Sequence, residues 1–391
     1  MALPDANWNY PTAIRFGAGR AAELGEACRA AGIRRPLLVT DPALAGMGMV
    51  RDALAASGAM LFCEIHPNPT GDDVDAGLAA YRDSGRDGVV AFGGGSALDV
   101  GKVIAFMSGQ TRPLWDFEDK QDWWSRADPA GIAPVVAVPT TAGTGSEVGR
   151  AGVILDEAEG VKKIIFHPRM LAAAVILDPE LTLGLPPPVT AATGMDALSH
   201  CLEAYCAPGF HPMADGIAAE GTRLIRSWLP RAFENGADVE ARGHMLAAAA
   251  MGATAFQKGL GGMHALSHPI GALLGTHHGL TNAVLMPYML AFNRPAVEDR
   301  LGRLAGYIGL ADSSFGALLD WIVELRRRLG IPHRLSEIGV TAAHLDRIAL
   351  MAEADPSASG NPRRFDAAAA RTVLEAAMAR PDPDLSLAAR G

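Results

Sequence analysis

Gly88-Val89-Val90-Ala91-Phe92-Gly93-Gly94-Gly95-Ser96 is a short apolar run that ends in three glycines and a serine. Gly88 to Phe92 reads as a buried strand, and Ala97 to Met107 reads as a helix. A glycine turn between strand and helix lets a backbone approach a ligand closely, and the helix N-terminus offers free N–H groups to an anion. Ser96 is placed to cap that helix. The pattern is neither Gly-x-Gly-x-x-Gly nor a Walker loop, so a plain tight turn stands beside the phosphate reading.

Outward from this stretch the first half alternates strand and helix. Ala13 to Phe16, Pro36 to Thr40, Leu61 to Ile65, Pro134 to Val138 and Val175 to Leu177 are β-prone runs. Ala21 to Ala31, Met49 to Ala56 and Asp73 to Ser84 read as helices. Such alternation predicts a largely parallel sheet covered by helices. Asp41 follows the second strand, where a carboxylate can accept ribose hydroxyls and disfavour a 2′-phosphate; a turn or cap role is the alternative. A second loop, Pro139-Thr140-Thr141-Ala142-Gly143-Thr144-Gly145-Ser146-Glu147, suits a ligand's polar atoms at a strand's carboxyl end. Lys163 could reach a phosphate or ribose, although on the sequence alone a solvated basic surface pair, Lys162-Lys163, is the favoured reading. The tryptophan-containing stretch Leu114 to Asp128 reads as an excursion from the sheet.

Pro186-Pro187-Pro188 marks a boundary. Beyond it Ala191 to Ala204, Met213 to Leu229, Val239 to Phe256 and Asn282 to Phe292 read as helices, and strand signals nearly vanish. The expected division is an α/β domain over residues 1–185 and a helical domain over 186–391. Asp196 with His200, and His264 with His268, each stand four apart, so each pair shares a helix face. His277-His278 follows. Carboxylate and imidazole suit a borderline divalent ion such as Fe(II) or Zn(II), while hydrogen-bonded core pairs are the bland alternative.

At 391 residues, 49% hydrophobic and 20% charged, the chain has the composition of a soluble two-domain protein. A net charge of -9 argues against nucleic acid or an anionic membrane as partner. Cys28, Cys63, Cys201 and Cys206 form no Cys-x-x-Cys, which fits a reducing cytoplasm. No apolar run reaches membrane-spanning length, residues 1–10 lack a signal-peptide layout, and the Pro/Asp-rich tail from Arg380 is expected to fray.

Taken together these motifs resemble the iron-containing (group III, metal-dependent) alcohol dehydrogenase family. The resemblance runs through Pro67-Asn68-Pro69-Thr70, Gly93 to Ser96 with Asp99 and Lys102, Thr140 to Glu147, Ala192 to His200, His264-Ala265-Leu266-Ser267-His268-Pro269, His278-Gly279 and Gly360-Asn361-Pro362-Arg363. It implies the dehydroquinate synthase-like fold, an α/β dinucleotide-binding domain followed by an all-α domain, with NAD and usually Fe(II) as cofactors. By motif, Asp196, His200, His264 and His278 are the implied metal ligands, and His268 lies beside the nicotinamide as a candidate proton relay. His277 stands where the family commonly has proline and is left out of the ligand set. Gly95, Ser96, Thr140, Thr141, Thr144 and Lys163 match cofactor-contacting positions, and Asp41 and Asn68 match positions near the adenosine ribose. The family usually assembles from dimers, and the run Ala13 to Phe16 could extend a partner's sheet.

Phe256-Gln257-Lys258-Gly259-Leu260-Gly261 departs from the family's usual wording and resembles the branch with 4-hydroxybutyrate dehydrogenases. Lys258 and Arg150 are therefore expected as cations for an anionic substrate tail, against a salt-bridged role. The expected reaction interconverts a small ω-hydroxy acid such as 4-hydroxybutyrate and its aldehyde. A broad primary-alcohol or 1,2-diol dehydrogenase is the first alternative. A dehydroquinate synthase-type lyase, which would show no net NADH, and a non-catalytic structural protein follow.

Overall fold

The computed structural model describes Tyr10, residues 12–380 and residues 382–383. The readings of the first ten residues and of the tail fall mostly outside these described residues. The chain divides into two compact units, Tyr10–Gly184 and the part from Leu185 onward.

The first unit is built from β1 (Ala13–Phe16), α1 (Leu24–Ala30), β2 (Pro36–Val39), α2 (Pro42–Ala45), α3 (Gly48–Ser57), β3 (Met60–Phe62), α4 (Gly71–Asp83), β4 (Gly88–Gly93), α5 (Gly95–Met107), β5 (Val135–Pro139), β6 (Ala151–Asp156), β7 (Val161–Phe166) and β8 (Ala174–Leu177). Six strands form one sheet in the order β1-β8-β5-β4-β2-β3, and every pairing is parallel. The inner strands β2, β4 and β5 are buried along their whole length. That explains their unbroken Val/Leu/Ala runs, since helices cover a parallel sheet on both faces. From β2 the chain steps outward to β3 and returns to β4 on the other side of β2. The direction of progression reverses between β2 and β4, where open α/β sheets place their ligands.

One feature differs from expectation. Residues 151–166 fold as an antiparallel hairpin, β6 with β7, pairing Ala151 with Phe166 and Asp156 with Val161. Buried and half-buried positions alternate along both strands, but the buried ones include Gly152, Asp156 and Lys163 while the half-buried ones include Val153, Leu155 and Ile164, so the residue types do not show the alternation. Its turn is held by the Gly160 N–H on the Asp156 carbonyl at 2.8 Å and by the Asp156 carboxylate on the Ala158 N–H. β1 pairs with β8 on one side and forms an edge of the sheet, the position from which a strand can extend a partner's sheet.

The second unit is helical: α6 (Pro187–Cys206), α7 (Pro212–Glu234), α8 (Val239–Ala255), α9 (Gly262–Leu274), α10 (His278–Tyr307), α11 (Phe315–Arg328), α12 (Leu345–Ala354) and α13 (Ala367–Ala379). α6 starts at Pro187, where a proline costs nothing because the first turn's N–H groups have no helical partner. From Thr190 to Ala204 its side chains are buried on every face, with α7, α8 and α10 packed around it. A helix enclosed on all sides holds its polar residues, Asp196, His200 and Glu203, away from bulk water. Among the described residues no helix is long and apolar enough to cross a membrane.

Candidate metal centre and nucleotide loops

Three helices of the second unit converge on one polar cluster. Asp196 and His200 come from α6, His264 from α9, and His278 is the first residue of α10. Their ligand-type atoms all lie within 4.8 Å of one another. Asp196, His200 and His264 are buried and His278 is half-buried. The i,i+4 spacing sets the first two on one face; only the helix packing adds the others. The rings of His200 and His264 stack at 4.9 Å, and His264 and His278 lie 5.2 Å apart. One carboxylate and three imidazoles, buried and spaced so that small inward shifts bring them within about 2 Å of a common centre, fit a divalent cation. The Asn282 amide, one turn after His278, donates to Asp196 Oδ1 at 2.9 Å and lies 3.1 Å from His278 Nε2.

His268 does not join the cluster. Its Nδ1 pairs with Asp355 Oδ2 at 2.8 Å, and its ring stacks on that of His278 at 5.5 Å. Burial pushes the Asp355 carboxyl up, yet the neighbouring His268 and the Ser357 N–H outweigh it and hold the carboxyl below its usual value. His277 is exposed and caps α10, its Nδ1 accepting the Leu280 N–H.

Lys258 does not present a free charge. Its side chain is 1% exposed and its ammonium lies 2.6 Å from Asp215 Oδ1, which Arg300 also contacts at 2.6 Å. Burial lowers the Lys258 pKa, the nearby Arg300 adds to this, and Asp215 opposes it. The expected tail-binding cation is therefore a salt-bridged residue of the helical unit. Arg150 lies in the other unit, half-buried, with its guanidinium over the Phe166 ring at 5.6 Å. It has no ion pair among the described residues.

In the first unit three loops follow three adjacent strands. Asp41 follows β2, and its Oδ2 accepts the Gly94 N–H at 3.3 Å; burial raises its pKa, partly offset by that bond. Gly93 closes β4 at φ +146°, a conformation that side chains disfavour, and a Cβ there would lie 2.7 Å from Asp41 Oδ2. Helix α5 begins at Gly95 with Gly94 as its cap, so Ser96 is not the cap. Its hydroxyl donates instead to the Pro67 carbonyl at 2.6 Å, tying the glycine turn to the Pro67–Thr70 loop. A Cβ on Gly95 would meet Thr144 at 2.7 Å, so this glycine admits the second loop against the α5 N-terminus. Thr140 is buried, and its N–H donates to the Gly93 carbonyl at 2.9 Å. Thr141 lies alongside Gly94.

Lys163 is a further correction. Its ammonium is held by Asp156 at 2.7 Å and Glu159 at 3.0 Å, over the Trp115 ring. Neighbours on a strand face opposite ways, and it is Lys162 whose ammonium donates to Asn68 Oδ1 at 2.9 Å. Sequence reading missed this because the hairpin was not foreseen; strand alternation was the available signal. Glu203 and Asp355 were also missed. Each is an acidic residue holding an imidazole Nδ1 from a distant part of the sequence, and neither has a local pattern that marks it. Lower in the unit, Lys102 is fully buried and reaches the Ser146 and Ala151 carbonyls and Asp99.

Comparison with known proteins bears on both units. Residues 11–179 match the family model described as iron-containing alcohol dehydrogenase. Residues 190–378 match the one described as Fe-containing alcohol dehydrogenase family, C-terminal. The chain is 41% identical over 385 residues to a 4-hydroxybutyrate dehydrogenase of Cupriavidus necator, covering 94% of this chain and 99% of that protein. A 1,3-propanediol oxidoreductase structure superposes with a TM-score of 0.90 at 33% identity, over 95% of this chain and 100% of that one. A sulfoacetaldehyde reductase from Bifidobacterium kashiwanohense, solved with NAD+, gives 0.87 at 31% identity, over 96% and 100%.

Proposed function

The chain belongs to the iron-containing alcohol dehydrogenase family, and from that premise we propose that it interconverts 4-hydroxybutyrate, or a similarly small ω-hydroxy acid, with its aldehyde. It is an oxidoreductase of small alcohols or aldehydes, and its family implies NAD and a divalent metal. The observation that carries the substrate reading is the 41% identity, over nearly the whole length, to a 4-hydroxybutyrate dehydrogenase. The proposed metal is Fe(II), with Zn(II) suited to the same donors.

Asp196, His200, His264 and His278 are the proposed ligands. A divalent ion held there would supply Lewis acidity toward the substrate oxygen, and bound NAD would supply the hydride chemistry. His268 is the proposed proton carrier. Asp355 accepts from its Nδ1, which leaves Nε2 to take the hydroxyl proton, the division of labour that a carboxylate imposes on an imidazole. The Gly93–Ser96 turn and the α5 N-terminus are proposed to bind the pyrophosphate. Thr140, Thr141 and Thr144 would line the cofactor from the second loop. Asp41, Asn68 and Lys162 are proposed around the ribose hydroxyls, Lys162 taking the place first expected of Lys163. Asp41 would also favour NAD over NADP by repelling a 2′-phosphate. A cytoplasmic, homodimeric or larger assembly completes the proposal.

A second reading, a broad primary-alcohol or diol dehydrogenase without preference for an anionic tail, is favoured by one observation. Lys258 is buried and already paired with Asp215, which leaves Arg150 as the remaining candidate for a tail. Steady-state kinetics on the Fe(II)-loaded enzyme, with 4-hydroxybutyrate beside 1-butanol and 1,3-propanediol, separate the two. The proposal expects kcat/KM for the hydroxy acid to exceed that for 1-butanol at least tenfold and to fall in Arg150→Ala. Equal values, unmoved by Arg150→Ala and Lys258→Ala, establish the second reading instead.

A further inference from the structure

Behind the four-residue cluster a fifth side chain gathers three donors that all belong to the start of one helix. Glu203 lies on α6, three residues after His200. Its Oε2 accepts the Gly261 N–H at 2.9 Å and faces His264 Nδ1 at 2.6 Å, while Oε1 accepts the Met263 N–H at 2.7 Å. The side chain is 8% exposed. We propose that Glu203 is a positioning residue of the metal centre: it fixes the tautomer of His264 and joins the two helices that carry His200 and His264. The inference rests on the reading of the Asp196/His200/His264/His278 cluster as a metal site.

An ionised carboxylate only accepts hydrogen bonds. Nδ1 of His264 must then carry its proton, and Nε2 is left with the lone pair that a metal needs. The same carboxylate serves the α9 N-terminus. The cap residue of that helix is Gly261, which has no side chain to accept its unpaired N–H groups. Glu203 does so from another helix, with its negative charge at the positive end of the α9 dipole. Gly261 is required for the approach, because a Cβ there would lie 2.9 Å from Glu203 Oε1. Asp196 and Glu203 together carry two negative charges, which match those of a divalent ion. The residue thus sets ring orientation, ring tautomer and helix spacing at once. A pure helix cap would do only the last.

Co(II) binding to the purified apoenzyme under anaerobic conditions tests this, read by competition with a chelating indicator and by the visible absorption of bound Co(II). Glu203→Gln removes the charge and sets an amide NH2 against one of the three donors, which weakens the hold on the His264 tautomer. The expected result is a Co(II) Kd about 10- to 100-fold weaker and a changed absorption band. Asp196→Ala is expected to lose binding further. Glu203→Asp, which keeps the charge but retracts it, is expected to fall between and serves if Glu203→Gln does not fold. Unchanged Kd and spectrum in a folded Glu203 variant, with binding lost in Asp196→Ala, would overturn the positioning role and leave the metal site standing. Wild-type binding by Asp196→Ala would overturn both.

Discussion

Glu147 shows how a single buried residue couples this protein to pH. It closes the Pro139–Glu147 loop and is 1% exposed. Burial raises its carboxyl from 4.5 to about 7, with Lys102 the charge that opposes the shift. The folded state therefore keeps a proton on Glu147 between about pH 4.5 and 7 that the unfolded chain releases. Stability is lost as pH rises through that window and is level above it, a change of about 3 kcal/mol for a shift of this size. Glu147→Gln removes the titration. The difference in thermal midpoint, variant minus wild type, is expected to grow by several degrees from pH 5 to pH 8. A difference that stays constant over that range would show that Glu147 is ionised throughout. Lys258 makes the complementary point: a cation that looks available in sequence is buried and held by Asp215.

At the scale of elements, the centre depends on how closely α6 and α10 approach. Gly279 follows His278, and a Cβ on it would lie 2.4 Å from the Ala192 carbonyl oxygen and 2.8 Å from Asp196 Cβ. The first of these is backbone of α6, which cannot swing aside. Gly279→Ala must push the start of α10 away from α6 and carry His278 from Asp196. The expected cost is about 1–3 kcal/mol of stability, with Co(II) affinity at least tenfold weaker on the same titration. Wild-type affinity in a folded Gly279→Ala protein would show that His278 does not depend on this approach. In the first unit the corresponding contact is Gly95 against Thr144, through which the glycine turn and the second loop form one surface.

At the scale of the molecule, the two units have different grounds for stability. The sheet unit rests on a continuous apolar core of Leu38, Val90, Phe92, Val136, Val138 and Ile176 with α1 and α3 against it. The helical unit encloses Asp196, His200, Glu203 and His264, polar groups whose burial is offset only by their partners. A ligand that binds only the folded form stabilises it by about 2.7 kcal/mol at a hundred times its Kd. Adding Zn(II) or Fe(II) to the chelator-treated protein is therefore expected to raise the melting transition of the helical unit by several degrees, and Asp196→Ala is expected to abolish the rise. An equal rise in Asp196→Ala would move the stabilising ion to another site. Separate transitions for the two units would be natural, because each has its own core.

Much of this was legible before any coordinates. The alternation of apolar runs with helical stretches determined a parallel sheet, because strands buried on both faces must be apolar throughout. Pro186 to Pro188 announced the turn to helices because proline is favoured in the first turn of a helix, where its missing N–H costs no helical hydrogen bond. Asp196 and His200 shared a face because helical spacing alone requires it. The tertiary structure decided the rest, and for one physical reason: a hydrogen bond or an ion pair between distant residues leaves no periodic trace. It bonded His268, which the resemblance already set apart from the ligands, to Asp355. It turned Lys162 to Asn68 and Lys163 to Asp156, through a hairpin whose buried face the residue types do not mark. It set Lys258 on Asp215, and it placed Glu203 behind His264, where only the packing of α6 on α9 could reveal what that carboxylate holds.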